Sequence, residues 1–290
     1  MTHRKFLGRL AAALMIVPLA GAALADPLRI AIANFGEHPQ LNAVADGFRA
    51  EIVASGLAEG TDVVFSVHHV NFDATLIPQM LSVIDAGNPD LVLAITTPVA
   101  QNLLNAAGNA DYPLVFAAVT DPVRAGLVPS WEEGGPNMSG ASDGFDIPAT
   151  LQFARAVFPE AQTLGIPYNP GEANDVAMLE SFQAAAEGSG LRIVSVGIDN
   201  TNEIPQRILA LSREADIIYG PASNLIQPAI AAVAATANEA RVPVLNTDDG
   251  AVRDGLVPLA FTVSYGQIGH NAGRVALRAL VGEPMAQIAP

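Results

Sequence analysis

From Leu28 onward the chain repeats one pattern: a short run rich in valine and isoleucine, then a longer stretch with apolar residues at helical spacing. This alternation constrains the fold more than any other feature, because short, continuous apolar runs suit parallel strands covered on both faces. Leu28–Ala33 reads as the first strand, and Leu41, Val44, Ala45, Phe48 and Ile52 then fall on one helix face. Val63–Val70 is the next strand, Leu76–Ile84 the next helix, and Leu91–Ile95 a third strand. Thr97-Pro98 opens the helix that follows, at a position where proline gives up no needed N–H donor. Leu114–Val119 is a fourth strand, and Trp131–Pro136 reads as a surface turn. A second series begins near Ile147, with strands at Thr163–Ile166, Arg192–Val196, Ile217–Tyr219, Val242–Leu245 and Leu259–Val263. Helices fit between them at Val176–Glu187, Glu203–Leu211, Leu225–Ala240 and Tyr265–Leu280. Such regularity predicts right-handed crossovers and an α/β chain of two lobes, each built on a parallel sheet, with a cleft between them.

The first 25 residues follow a different rule. Arg4, Lys5 and Arg9 precede an uncharged apolar run from Leu10 to Ala25, broken by Pro18 and closed by Ala23-Leu24-Ala25. That is the pattern of a secretory signal peptide cleaved before Asp26. The run is too short for a bilayer span, and no later stretch of comparable apolarity reaches that length. The expectation is an exported, soluble protein of the bacterial periplasm, since no cysteine is present to carry a lipid anchor. Removing three positive charges takes the net charge from −15 to −18. Such acidity argues against nucleic acid, which is bound through basic surface. The absence of cysteine excludes disulfides, thiolate metal sites and cysteine nucleophiles. Lys5 is the only lysine, so the mature chain offers neither a Schiff-base nor a P-loop lysine.

Open parallel sheets bind ligands at the carboxyl ends of their strands, where loops carry polar groups and helices begin. In the first lobe those ends carry Asn34-Phe35-Gly36-Glu37-His38-Pro39, Thr96-Thr97-Pro98 and Thr120-Asp121-Pro122. In the second they carry Tyr168-Asn169-Pro170-Gly171-Glu172-Ala173-Asn174, Ser223-Asn224 and Asn246-Thr247-Asp248-Asp249. Each segment alone is ordinary capping and turn chemistry. Six of them on two facing edges describe a polar, small-molecule cleft. Catalytic patterns are weak by comparison. His68 and His69 are neighbours on a strand and point to opposite faces, so they cannot share a metal. No G-x-G-x-x-G occurs after a strand. Asp248-Asp249 could form a carboxylate pair, but a loop pair more often caps a helix while one member meets ligand. The sequence therefore calls for no catalysis, no metal and no cofactor.

Taken in order, these motifs resemble a known family. Glu37-His38-Pro39, Thr96-Thr97-Pro98-Val99-Ala100-Gln101, the stretch from Val119 to Val128, and Asn137-Met138-Ser139-Gly140 are followed by Tyr168 to Asn174 and by Ser264-Tyr265-Gly266-Gln267-Ile268-Gly269. Together they resemble ABC-transporter substrate-binding proteins of the group that includes tryptophan and tyrosine receptors, over nearly the whole mature chain. The resemblance implies a type I periplasmic-binding-protein fold: two Rossmann-like lobes, a three-strand hinge, and closure around a solute. It places the first lobe at residues 26–145 with the helix at 265–283 returning to it, the second at 146–264, and a tail at 284–290. Ala222-Ser223-Asn224 stands where relatives usually carry Thr-Asp-Asn, so a carboxylate often found there is missing. Relatives also continue past the final helix into another lobe-crossing segment. Arg124 replaces a small residue.

These readings give a monomeric periplasmic receptor that hands an amino acid or a related polar solute to an ABC permease in the inner membrane. A periplasmic enzyme acting on a small carboxylate and a sensory receptor of the same fold are the rival readings. The expected site is Phe35, His38, Thr96, Thr97, Thr120, Asp121, Tyr168, Asn169, Glu172, Asn174, Ser223, Asn224, Asp248, Asp249 and Tyr265. Thr96 and Thr97, at a helix start, would take a carboxylate. Asp121 with Asp248 or Asp249 would pair with an ammonium group, and Phe35, Tyr168 and Tyr265 would form flat walls.

Overall fold

The computed structural model describes residues 26–290, and the signal-peptide reading lies on residues 1–25, outside them. The first lobe runs β1 (Leu28–Asn34), α1 (Pro39–Ala54), β2 (Val63–His69), α2 (Ile77–Ala86), β3 (Leu91–Ile95), α3 (Thr97–Ala107), β4 (Leu114–Val119) and β5 (Met138–Ser142). The second runs α4 (Ile147–Val157), β6 (Thr163–Tyr168), α5 (Ala173–Ala185), β7 (Arg192–Gly197), α6 (Ile204–Leu211), β8 (Ile217–Gly220), α7 (Ile230–Glu239), β9 (Val244–Asn246), α8 (Gly250–Arg253) and β10 (Leu259–Ala260). Helix α9 (Tyr265–Leu280) then returns to the first lobe.

Both sheets have five strands, all paired in parallel, in the orders β2-β1-β3-β4-β5 and β7-β6-β8-β9-β10. The two orders are the same, so each lobe has one place where successive crossovers leave in opposite directions, beside β1 and β3 in one and β6 and β8 in the other. Every residue of β3 and β4 is buried, as the unbroken apolar runs require. Helix α9 lies along α1 so closely that a Cβ on Gly269 would stand 2.1 Å from the Val44 carbonyl oxygen. The hydrophobic cores divide at Gly144 and Thr262. Ala141 and Val263 pack with the first lobe, whereas Phe145 and Phe261 pack with the second.

The α/β class and the two parallel sheets are those the alternation predicts, with four differences of detail. Strand β5 escaped the apolar-run criterion because its sequence is Met-Ser-Gly-Ala-Ser, and tertiary contact selects it. Helix α4 stands where the sequence marks only the start of a second series; Asp146 caps it by accepting from Ala149 N at 2.9 Å. The loop at 131–136 is not wholly a surface turn: Gly134 and Gly135 are buried, Gly134 beside the C-terminal residues and Gly135 beside Leu127. There Met285 and Ile288 join the first-lobe core, and Ser139 Oγ donates to the Ile288 carbonyl at 2.6 Å. Finally, the described chain crosses between lobes twice, not three times.

Candidate functional site

A cavity of about 440 Å³, counted with its mouth, lies between the lobes at the carboxyl ends of the strands. The first lobe contributes Thr96 and Thr97 after β3, Ala118 and Thr120 at the end of β4, and Asp143 after β5. His38, Gln40 and Leu41 at the start of α1, with Phe72 after β2, complete that side. The second lobe contributes Asn174 in the first turn of α5, Ala222-Ser223-Asn224 after β8, and Gln227 with Pro228. Tyr265 enters from the start of α9.

Backbone strain gathers here. Phe72, Thr96 and Ala118, with φ of 66°, 85° and 53°, are three of the six non-glycine residues at positive φ among those described, and all three line the cavity. Such conformations cost on the order of 1–3 kcal/mol each and persist only where surrounding structure enforces them. At Thr96 the enforcing contact is its N–H, which donates to the Ala117 carbonyl at 3.0 Å, and α3 starts at the next residue. The first-turn amides of Thr97 and Val99, which have no acceptor within the helix, and the positive end of the helix dipole therefore accompany the Thr96 hydroxyl.

The second-lobe side is organised by a carboxylate that does not itself reach the cavity. Glu172 accepts from Asn169 Nδ2 at 2.9 Å, Asn224 N at 3.1 Å, Asn224 Nδ2 at 2.8 Å and Asn174 Nδ2 at 3.4 Å. Asp175 accepts from the same Asn174 Nδ2 at 2.9 Å and from Asn169 N at 2.7 Å. Burial first, and the nearby Glu172 charge second, push the Asp175 carboxyl well above its ordinary range. On the other flank, Gln227 Nε2 donates to Asn246 Oδ1 at 2.8 Å and Thr247 Oγ1 at 2.9 Å, both at the end of β9. Asn246 Nδ2 is committed to the Asp248 carbonyl at 3.1 Å, which fixes Asn246 Oδ1 as the acceptor and hence the orientation of Gln227.

Six buried side-chain atoms among the described residues lack a hydrogen-bond partner, and four belong to cavity residues: Thr96 Oγ1, Asp143 Oδ1, Asn174 Oδ1 and Gln227 Oε1. Buried polar groups are otherwise nearly always paired, so this concentration sets the cavity apart from the rest of the described structure. Asp143 Oδ2 accepts from the Tyr265 hydroxyl at 3.2 Å. Burial pushes the Asp143 carboxyl up to about 6, opposed by the Thr120 and Tyr265 hydroxyls. The Tyr265 phenol is raised by burial and by the Asp143 charge, and stays protonated. His38 Nδ1 accepts from Gln40 N at 3.3 Å, capping α1, and burial lowers the imidazole against the opposing pull of Asp248.

Of the residues expected from the sequence, His38, Thr96, Thr97, Thr120, Asn174, Ser223, Asn224 and Tyr265 are brought together at this cavity. The others lie elsewhere. Asp121 turns its carboxylate to Val123 N and Arg124 N, at 3.1 and 2.9 Å. Asp248 accepts from Gly250 N at 2.9 Å, and Asp249 pairs with Arg253. Phe35 is buried behind Phe72, ring centroids 5.7 Å apart and edge to face, so Phe72 supplies the wall. Tyr168 packs against the second-lobe core, and Asn169 and Glu172 hold the loop before α5. Asp143, Phe72, Gln40, Ala118 and Gln227 escaped the sequence reading. Asp143 follows a strand that composition did not reveal, and the others sit on segments without a motif. Among the described residues, three polar side-chain contacts join the lobes: Gln40 Nε2 donates to the Thr247 carbonyl at 3.3 Å, His38 Nε2 lies 3.9 Å from Asp248 Oδ2, and Arg124 pairs with Glu180.

Two parallel α/β lobes closed on a polar cavity define a solute-binding protein of the periplasmic-binding type. Residues 29–290 match the family described as ABC transporter substrate binding protein, and the chain belongs to that family. Among curated relatives, a tyrosine-binding protein of Clostridioides difficile is 32% identical over 89% of this chain and 74% of its own. Among solved structures, the ABC domain in complex with L-Trp from Streptococcus pneumonia is similar with TM-score 0.85 at 26% identity, covering 91% of this chain and 88% of that one. A ligand-free, open substrate-binding protein with adhesive properties from Clostridium difficile matches at 0.67 with 31% identity, over 90% and 88%. Of these two structures, the complex matches better in shape despite its lower identity. The family and these relatives are substrate-binding proteins, not enzymes. No helix among the described residues is long and apolar enough to cross a membrane.

Proposed function

We propose that this chain is the periplasmic receptor of an ABC importer and that its solute is an amino acid or a close relative, bound between the lobes as a zwitterion. The observation that carries this reading is the coincidence, in one closed interlobe cavity, of four unpartnered buried side-chain atoms with the N-terminal end of α3. The Thr96 hydroxyl and the amides beyond it favour a carboxylate. Asp143 supplies negative charge in the same cavity, and Phe72, Leu41 and Tyr265 supply apolar surface. The tyrosine receptor and the L-Trp complex among its relatives support the amino-acid class.

Calorimetry of residues 26–290 against the twenty L-amino acids, small carboxylates and nucleosides tests the solute class. Stoichiometric binding of at least one amino acid, with the recovered ligand chemically unchanged, is expected. Exclusive binding of a carboxylate or nucleoside overturns the amino-acid reading, and turnover overturns the receptor reading in favour of an enzyme. For export, mass spectrometry of periplasmic protein should find the N-terminus at Asp26; a retained, membrane-bound leader contradicts it. Capture of an ABC permease by the loaded protein supports the importer, and capture of a signalling protein instead supports the sensor.

A further inference from the structure

We infer that the cavity selects its solute by a primary ammonium group, held by three acceptors on residues that line it from the hinge and the second lobe: Asp143 Oδ1, Asn174 Oδ1 and Gln227 Oε1. This deepens the amino-acid reading and replaces the sequence expectation that Asp121 and Asp248 or Asp249 meet the cation. It rests on that reading only for the choice of probes.

The polarity of the unpartnered atoms carries the argument. Asp143, Asn174 and Gln227 are each 5% exposed and line one cavity. Each leaves a bare acceptor, and each for a reason fixed by its neighbours. Asp143 spends Oδ2 on the Tyr265 hydroxyl, and the nearby Thr120 hydroxyl makes no hydrogen bond to Oδ1 in this geometry. Asn174 spends its NH₂ on the carboxylates of Glu172 and Asp175, so its carbonyl oxygen faces away from them. Gln227 spends its NH₂ on Asn246, Thr247 and the Gly220 carbonyl. Neither amide can be turned over without setting its oxygen against other acceptors. A primary ammonium carries three N–H donors and no acceptor, which matches this set in number and sign. No lysine or arginine lines the cavity. A buried carboxylate without a fixed cationic partner is stabilised best by a cation that arrives with the solute.

The geometry also links recognition to closure. Asp143 precedes the crossing at Gly144, whereas Asn174 and Gln227 belong to the second lobe. One ammonium nitrogen touching all three ties the lobes together, and a solute lacking it leaves three buried acceptors bare.

The test is calorimetry on residues 26–290 with a series that separates the two charges. L-Tyrosine carries both, tyramine lacks the carboxylate, and 3-(4-hydroxyphenyl)propionate lacks the amine. The nineteen other L-amino acids, putrescine and succinate widen the panel. Every binder is expected to carry a primary ammonium, and deaminating a bound amino acid should weaken it by on the order of a hundredfold. Deamination should cost more than decarboxylation. Asp143→Asn, which keeps an oxygen for Tyr265, should lose on the order of thirtyfold or more while melting cooperatively. The ligand series on the unaltered protein gives the answer even if that variant misfolds. If amines bind and amino acids do not, the amino-acid reading fails and this inference stands. If an amino acid binds but tolerates deamination within about threefold, the inference fails and the amino-acid reading stands. A panel with no binder overturns both.

Discussion

Asp143 shows at single-residue scale how a buried carboxyl in the cavity wall weakens the fold that carries it. Its carboxyl sits at about 6 in the folded protein against an ordinary value of 3.8, with burial as the main cause. Between those values the folded chain holds a proton that the unfolded chain has released, so stability falls as pH rises through this window. By pH 7 the loss is on the order of 3 kcal/mol. Asp143→Asn should therefore raise the melting temperature of the ligand-free protein at pH 7 and change it little near pH 4, measured against the parent at each pH. An unchanged difference across that range would show that the carboxyl is not perturbed in this way. A second residue-scale prediction concerns Gly36. A Cβ there would stand 2.6 Å from the Phe72 ring, which walls the cavity. Gly36→Ala should push that ring and weaken solute binding at least about tenfold, while altering the melting temperature only modestly, because the ring can move and the core behind it stays filled.

At the scale of elements, the packing of α9 on α1 decides whether the first lobe is complete. The approach at Gly269 leaves no room for a methyl group, and the neighbour it would meet is backbone, which cannot swing aside. Gly269→Ala is expected to destabilise the protein by about 1–3 kcal/mol, read as a lower urea midpoint, because the helices must separate. A midpoint equal to that of the parent would mean that the helices slide without loss. The elements differ in how far they could be read in advance. β3 and β4 are continuous apolar runs buried on both faces, and their sequence announces it. β5 has no such run. Its buried Ser139 is chosen for the bond to Ile288, a partner 149 residues away that no local pattern reveals.

At the scale of the whole molecule, the site belongs to neither lobe alone. The cavity takes residues from both lobes, so neither lobe alone presents the four unpartnered groups. A saturating amino-acid ligand should compact residues 26–290 in small-angle scattering, and a tightly bound solute that leaves the shape unchanged would contradict this account. The Arg124–Glu180 pair spans the lobes but is exposed on both sides, 43% and 51%, so it contributes at most about 1 kcal/mol. Arg124→Ala should weaken affinity no more than about fivefold, with the difference vanishing in high salt. A larger, salt-independent loss would place that pair in the recognition machinery.

The sequence by itself determined the alternation of strands and helices, the parallel sheets and the carboxyl-end edge where ligand chemistry gathers. These follow from local periodicity and from the rule that open sheets bind at strand ends. It also placed Thr96 and Thr97 correctly at a helix start, because N-terminal capping chemistry is written in adjacent residues. What only the tertiary structure decided was which polar groups remain free. Asp121, Asp248 and Asp249 looked as available as Asp143, and each is engaged by amides or an arginine within a few residues. Asn174 and Gln227 became acceptors only when carboxylates and strand ends, brought in by the fold, claimed their NH₂ groups. Residue type gives the donors and acceptors a chain possesses; three-dimensional packing decides which of them are left for a solute.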